Sequence, residues 1–84
     1  AVSPNRDGYN DVFYISEIEK FPNSELKIYN RWGNIVFQTL NYRNDWAGTW
    51  KNDLELPDGT YFYRLKLNEP NDNRMFEGYL ELHR

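Results

Sequence analysis

Alternation of apolar and polar side chains is the dominant pattern along this chain, and its period of two is typical of β-strands. The clearest example covers residues 60–67, where every second side chain is apolar. One side of this run carries Tyr61, Tyr63, Leu65 and Leu67, and the other carries Phe62, Arg64 and Lys66. The pattern predicts an antiparallel strand with one face buried and the other in contact with water.

A second alternating run covers residues 75–83 and places Phe76, Gly78, Leu80 and Leu82 on one side. Between the two runs lie residues 68–73, in which Pro70 is surrounded by Asn and Asp residues that favour turns. The two runs are therefore predicted to pair as a terminal hairpin. Residues 75–82 of the second run form the candidate edge strand of the sheet.

Two shorter apolar runs, residues 26–29 and 35–40, predict a further pair of strands. Gly33-Asn34 between them favours a turn, because glycine adopts positive φ without steric strain. The sequence does not fix the register in which these strands pair. Residues 15–21 are ambiguous, since their apolar side chains recur at every third position, and one turn of helix that ends before Pro22 is an alternative to extended chain.

Short strands at regular spacing, separated by turn residues and without a long helical pattern, predict an all-β fold. The expected architecture is an immunoglobulin-like antiparallel β-sandwich of about six or seven strands. The chain of 84 residues fits one domain, residues 1–84, without a linker or an internal repeat. Its 7 Tyr, 5 Phe and 3 Trp residues provide the aromatic surface for a small core.

Composition and charge exclude several classes of protein. The chain contains no Cys, so neither disulfides nor Cys-based zinc sites are available. A net charge of -3 with interspersed signs argues against a nucleic-acid partner. No apolar run approaches the roughly 18 residues of a membrane helix, and no signal peptide is visible. The first residue is Ala1 rather than Met, which suggests a piece of a longer precursor.

The sequence does not predict catalysis. Its sole histidine, His83, is next to last in the chain, and nothing in the sequence links it to Ser3, Ser16 or Ser24 as a nucleophile. There is no glycine-rich loop before a helix to hold phosphate. We therefore expect neither an enzyme nor a protein that needs a cofactor or a small-molecule substrate.

The opening segment, residues 3–11, concentrates polar turn formers directly before the apolar residues 12–15. Its favoured interpretation is an Asx-rich turn that leads into the domain. Asn5, Asp7 and Asp11 also offer oxygen atoms of the kind that Ca²⁺ prefers, although the position of Gly8 does not fit an EF-hand. Calcium binding is thus an open alternative, and no metal site is predicted.

Trp32, Trp46 and Trp50 allow two interpretations. Exposed indoles form stacking platforms for sugars, whereas packed indoles fill the core or the rim of a small β-domain. Packing is the favoured interpretation, and Asp45-Trp46-Ala47-Gly48 is expected to form a corner where the ring covers the core. Pro57-Asp58-Gly59 predicts a tight turn that leads directly into the following strand.

Four motif blocks in order along the chain resemble the C-terminal sorting domain of proteins exported by the type IX secretion system. The resemblance is to its type B form, also called the gliding motility-associated C-terminal domain. The matching residues are Ser3-Pro4-Asn5, Asp7-Gly8 and Asn10-Asp11; Ile28, Asn30-Arg31-Trp32-Gly33 and Val36-Phe37; Trp46 with Gly48; and Leu56-Pro57-Asp58-Gly59-Thr60-Tyr61-Phe62-Tyr63. Gly78-Tyr79-Leu80-Glu81-Leu82 and Arg84 fit as well, whereas Arg6 and Ala47 depart from the commoner Gly and Asp.

This resemblance implies an address label on a surface or secreted protein of a gliding-type Gram-negative bacterium. The precursor would pass through the periplasm, and its folded label would engage outer-membrane components of the type IX system and a dedicated outer-membrane partner protein. The candidate partner-recognition residues are Pro4, Asn5, Asp7, Gly8, Asn10, Asp11, Asn30, Arg31, Trp32, Gly33, Pro57, Asp58, Gly59, Thr60 and Arg84. A partner strand added to the sheet edge is a second mode of recognition.

Two alternatives come from other classes of protein. An immunoglobulin-like spacer or adhesin module would have the same fold, and tandem copies within the precursor would distinguish it. A carbohydrate-binding module would bind sugars through the Trp residues, and a response of the Trp fluorescence to glycans would distinguish it.

Overall fold

Four antiparallel strands form one sheet in the computed structural model, which describes Val2, residues 11–50 and residues 54–83. In chain order the strands are β1 (Glu25–Tyr29), β2 (Ile35–Leu40), β3 (Gly59–Lys66) and β4 (Met75–Leu82). Their order in the sheet is β2-β1-β3-β4, so β2 and β4 are its edges. The predicted all-β class is confirmed.

The terminal hairpin predicted from the two alternating runs is confirmed. Strand β3 pairs with β4 from Gly59 opposite Leu82 to Lys66 opposite Met75. A further bond from the Leu67 N–H to the Arg74 carbonyl, at 3.1 Å, extends the pairing towards the turn. The alternation has the predicted sense for Tyr61, Leu65, Leu67, Leu80 and Leu82, which are buried, whereas Phe76 on the same side is exposed.

Strands β1 and β2 form the predicted second pair, with Leu26 opposite Thr39 and Ile28 opposite Phe37. The register then shifts, so that Tyr29 lies opposite Ile35 rather than Val36. One extra residue on β2 accounts for this shift, which is a bulge of the kind that bends a strand. A bulge depends on contacts made elsewhere in the fold, which is why the run of apolar residues did not fix the register.

Pairing between β1 and β3 builds the centre of the core. It sets Leu26 opposite Leu65 and Ile28 opposite Tyr63, and both β1 side chains are completely buried. Each fully buried aliphatic side chain contributes roughly 1.5–3 kcal/mol relative to an exposed one. Because β1 is central, the chain between β2 and β3 has to cross one face of the sheet.

The helical turn offered as an alternative for residues 15–21 is present as a 3-10 turn, Ile18–Lys20. The Phe21 N–H donates to the Ile18 carbonyl at 3.0 Å, and Pro22 follows. This turn directs Ile18 into the core, where it is buried.

Residues 11–24 and 41–56 form an irregular layer over one face of the sheet, apart from residues 51–53, which lie outside the description. The ring of Trp46 lies 5.9 Å from that of Phe37 and 6.4 Å from that of Tyr61. Within the described residues this layer contains an isolated antiparallel bridge, Thr49 with Glu55, and no named strand. The sandwich of six or seven strands therefore stays a prediction.

Two side chains connect the parts of this layer to each other. The buried Tyr42 hydroxyl donates to the Phe13 carbonyl at 2.6 Å and accepts from the Trp46 N–H at 3.0 Å. The Asn44 side chain accepts from the Ile15 N–H at 2.8 Å and donates to the Ile15 carbonyl at 3.3 Å. Side chains thus satisfy backbone groups that a second sheet would satisfy through a ladder.

Tyr42 makes the stability of the domain depend on alkaline pH. Burial raises the pKa of Tyr42 from 10.0 to about 12, the charge of Asp45 adds to the rise, and the hydrogen bond from Trp46 opposes it. Folding therefore favours the protonated phenol, so its contribution is complete below pH 10.0 and is lost as the pH rises towards about 12. Chemical denaturation of the wild type and of Tyr42→Phe across this range measures the effect.

We expect Tyr42→Phe to lower the free energy of unfolding at neutral pH by about 1–3 kcal/mol, because the Phe13 carbonyl and the Trp46 N–H lose a buried partner. Its stability should then fall less steeply than that of the wild type between pH 10 and about 12. Tyr79→Phe is the matched control, since Tyr79 is exposed. Equal slopes for the wild type and Tyr42→Phe would contradict this account of Tyr42.

Candidate partner-recognition site

The loop between β1 and β2 is organised by the side chain of Asn30. Its Oδ1 accepts hydrogen bonds from the N–H groups of Trp32 and Asn34, both at 3.0 Å. The backbone closes the loop as well, because the Gly33 N–H donates to the Asn30 carbonyl at 3.0 Å. Gly33 has a φ of 84°, a conformation that glycine adopts without the strain a side chain would bring. The predicted turn at Gly33 is confirmed.

Arg31 and Trp32 project from this loop as one unit. The Arg31 guanidinium lies 4.4 Å from the centre of the Trp32 ring, a cation–π arrangement that holds both side chains in place. Trp32 is nevertheless 71% exposed, so the expectation of core or rim packing is wrong for this residue. The loop therefore presents a large apolar surface and a positive charge to the solvent.

The turn at Pro57-Asp58-Gly59-Thr60 is anchored at both of its ends. The Tyr61 hydroxyl donates to the Pro57 carbonyl at 2.7 Å, and the Thr60 hydroxyl donates to the Glu81 carboxylate at 2.7 Å. His83 Nδ1 lies 3.7 Å from Asp58 Oδ2, a contact that becomes an ion pair when the imidazole is protonated. The turn leads into β3 as the sequence predicts.

These two loops meet at one end of the sheet because β1 ends beside the start of β3, where Tyr29 pairs with Phe62. Together they line a cleft of about 80 Å³. The residues that line it are Asn30, Arg31, Trp32, Pro57, Asp58, Gly59, Thr60 and Tyr61. We call residues 30–34 and 57–60 the two-loop end. Seven of the candidate recognition residues thus line one surface.

An apolar groove of about 370 Å³ adjoins the cleft and was not foreseen from the sequence. Trp32, Ile35, Trp50 and Leu54 line it, and all four are exposed. Leu54 lies in a polar stretch and Ile35 at the start of a strand, so neither stood out as a surface residue. The one available signal was Trp50, which the packing interpretation had assigned to the interior or the rim.

The other candidate residues are not part of the two-loop end as the structure describes it. Pro4, Asn5, Asp7, Gly8, Asn10 and Arg84 lie outside the described residues. Asp11 is described and partly buried, but it does not line the cleft.

Trp46 has the role predicted for it, because it is only 2% exposed and its Nε1 donates to the Thr49 carbonyl at 2.8 Å. A platform of all three indoles is therefore impossible. Within residues 11–50 and 54–83, no three acidic or histidine side chains come close enough to hold a metal ion. The same residues contain no helix long and apolar enough to cross a membrane.

An exposed Trp stacked by an Arg, on loops fixed by hydrogen bonds, is typical of a surface that binds another macromolecule. The fold is that of a small all-β domain that presents this surface at one end. The family model of the CHU_C type IX secretion signal domain matches residues 1–82, so the chain belongs to that family. No curated protein and no solved structure shows significant similarity to it.

Membership of this family gives the chain the role of a sorting signal for type IX secretion. A signal of this kind directs a protein towards the cell surface or the medium. The family is one of secretion signals and not of enzymes.

The role of Asn30 in shaping the two-loop end can be tested by substitution. Asn30→Ala removes the acceptor of two backbone N–H groups, so we expect it to lower the free energy of unfolding by about 1 kcal/mol. Asn30→Asp keeps the acceptor and should retain most of the stability. Urea denaturation, followed by far-ultraviolet circular dichroism, measures the difference, and equal losses in both variants would contradict the assignment.

Proposed function

We propose that the domain is recognised as a folded module by the type IX translocon, and that the two-loop end is the surface that is read. The observation that carries this proposal is the shared cleft: two loops separated by more than twenty residues in sequence line one surface. An unfolded signal would not bring them together. Recognition of that surface would therefore depend on the fold.

The chemistry of the two-loop end supports a protein partner. Trp and Arg are the side chains most enriched among residues that dominate binding energy at interfaces. Trp32 and Arg31 are held against each other before any partner arrives, and Asn30 fixes the loop beneath them. Pre-organisation of this kind lowers the conformational entropy that binding would otherwise cost.

The export route of the protein that contains this domain is part of the same proposal. The domain folds in the periplasm, engages outer-membrane components of the type IX system together with a dedicated outer-membrane partner protein, and brings its cargo to the cell surface or the medium.

We propose further that the fold is a reduced immunoglobulin-like sandwich of six or seven strands. Support comes from short stretches of pairing outside the four strands. The Trp50 N–H donates to the Leu54 carbonyl at 2.7 Å, and the Leu56 N–H donates to the Gly48 carbonyl at 2.9 Å. Val2 also pairs with Leu82 beyond the edge of the sheet. These stretches are the places where additional short strands would lie.

A reporter fusion tests the function directly. Residues 1–84 are placed behind a reporter that carries a signal peptide, in a type IX-competent cell that expresses the cognate partner. We expect the wild-type fusion outside the cell and the double variant Arg31→Ala/Trp32→Ala retained in the periplasm. Immunoblots of periplasm, surface and medium measure the distribution.

Leu40→Ala provides the matched control, because Leu40 is exposed and lies outside the two-loop end. Both sets of substitutions fall on the surface and should change the free energy of unfolding by no more than about 0.5 kcal/mol per residue. Retention of the wild-type fusion in the periplasm would refute the sorting function. Normal export of the double variant would refute the two-loop end as the recognised surface.

Carbohydrate binding is the second candidate function, and one observation favours it. Trp32 and Trp50 are both exposed and line the same apolar groove. If sugars stack on them, soluble glycans should change the intrinsic Trp fluorescence, and Trp50→Ala should reduce the response. An unchanged spectrum at millimolar glycan would remove this alternative.

A further inference from the structure

Strand β4 has an outer edge, and the pairing with Val2 shows which of its backbone groups point outwards. The Val2 N–H donates to the Glu81 carbonyl and the His83 N–H donates to the Val2 carbonyl, both at 2.8 Å. Along a strand, the residues that hydrogen bond to one side alternate with those that bond to the other. The outward groups therefore belong to Met75, Glu77, Tyr79, Glu81 and His83.

Only the last two of these positions are covered by a partner that the structure describes. Within residues 11–50 and 54–83, no backbone group hydrogen bonds to the outward groups of Met75, Glu77 or Tyr79. The inward positions are different, since by this alternation the backbone N–H and C=O groups of Phe76, Gly78 and Leu80 point towards β3. Among the residues that the structure describes, strand β4 thus has a paired end beside Val2 and an open stretch from Met75 to Tyr79.

Apart from the charge of Glu77, this open stretch lacks the features that keep edge strands from pairing. Natural edges are protected by charged side chains, especially Lys, and by Pro, by bulges or by shortness. Strand β4 is eight residues long and contains neither Pro nor Lys, and its register with β3 is regular throughout. The opposite edge, β2, is shorter and pairs with β1 through a bulge. The edge best suited to accept another strand is therefore β4.

An apolar groove of about 440 Å³ lies on the core side of the same edge. Its lining includes Phe76 on β4, Tyr63 and Leu65 on β3, and Phe13 and Phe21 from the covering layer. The Tyr63 ring lies over Gly78, so closely that a Cβ on Gly78 would come within 2.8 Å of it. Phe76 is itself exposed, so the groove reaches the edge at that residue.

We propose that the open stretch of β4 binds an extended segment of the outer-membrane partner protein, which adds a fifth strand to the sheet. The side chains of that segment on the core face of the sheet are apolar, and one of them fills the groove beside Phe76. The side chains of that segment on the opposite face are basic or polar, because Glu77 places an exposed carboxylate beside the open stretch, in an ion pair with Arg64, and the chain has a net charge of -3. This proposal rests on the proposed sorting function.

Hydrogen exchange of the 84-residue domain tests the open edge by itself. We expect the amides of Glu77 and Tyr79 to exchange at least tenfold faster than those of Gly78 and Leu80, which donate into the ladder. Equal protection at all four amides would mean that the edge is already covered, and would overturn the proposal.

Glu77→Pro tests the binding in cells, because proline removes the outward N–H that an added strand would use. Glu77→Ala is the control, since both variants lose the exposed ion pair to Arg64 and only one loses the N–H. In the reporter assay, export of Glu77→Pro should fall roughly tenfold below that of Glu77→Ala, the factor that corresponds to one or two lost hydrogen bonds.

Normal export of both Glu77 variants would overturn the edge proposal and leave the sorting function intact. Failure of the wild-type fusion would refute the sorting function, and this proposal with it. If Glu77→Pro does not fold, a photoreactive benzoylphenylalanine in place of Tyr79 decides the question. It should crosslink to an outer-membrane protein of the export machinery, whereas the same probe at Leu40 should not. No adduct, or an adduct with a second copy of the chain alone, would overturn the proposal.

Discussion

The hydrogen bonds of Tyr42 are the constraint on which the rest of the domain depends. A single four-stranded sheet cannot bury its own apolar face, and the layer that covers it is irregular chain. Irregular chain can be buried only if its backbone polar groups find partners. Tyr42 provides two such partners and Asn44 two more, and three of these four bonds connect residues 29 positions apart in the sequence. Trp46 can then remain in the interior, where it packs against Phe37 and Tyr61.

A covered sheet allows the loops at its end to be held in place without being buried themselves. The two-loop end draws on the β1–β3 pairing for the position of its loops and on local hydrogen bonds for their shape. This division explains why Trp32 can be exposed and still ordered. Its backbone is fixed by Asn30 and its ring by Arg31, so neither needs burial. A secretion signal that is read as a surface benefits from such side chains, because their ordering precedes binding.

Local patterns in the sequence were sufficient for the four strands and the terminal hairpin, and they left the 3-10 turn at Ile18–Lys20 as one of two alternatives. The features that escaped prediction depend on distant contacts. The bulge opposite Tyr29 and the bonds from Tyr42 to Phe13 have no signature in a short window. Trp32 and Trp46 both stand among turn residues, and only the fold separates the exposed one from the buried one. Both loops that line the cleft were predicted as turns from the sequence. That they lie side by side follows only from the order of the strands in the sheet.

The two surfaces proposed for recognition have complementary physical properties. Backbone pairing along β4 supplies affinity that depends little on side-chain identity, so it tolerates many partner sequences. Recognition through a cleft built from Arg31, Trp32 and the Pro57 turn would depend on particular side chains, so it would discriminate between domains of similar fold. Strand β4 ends at Leu82 beside Gly59, which places the paired end of the edge next to the two-loop end. A partner strand on Met75–Tyr79 would be separated from the two-loop end by the Val2 pairing, so the use of both surfaces would require a partner that contacts each of them separately.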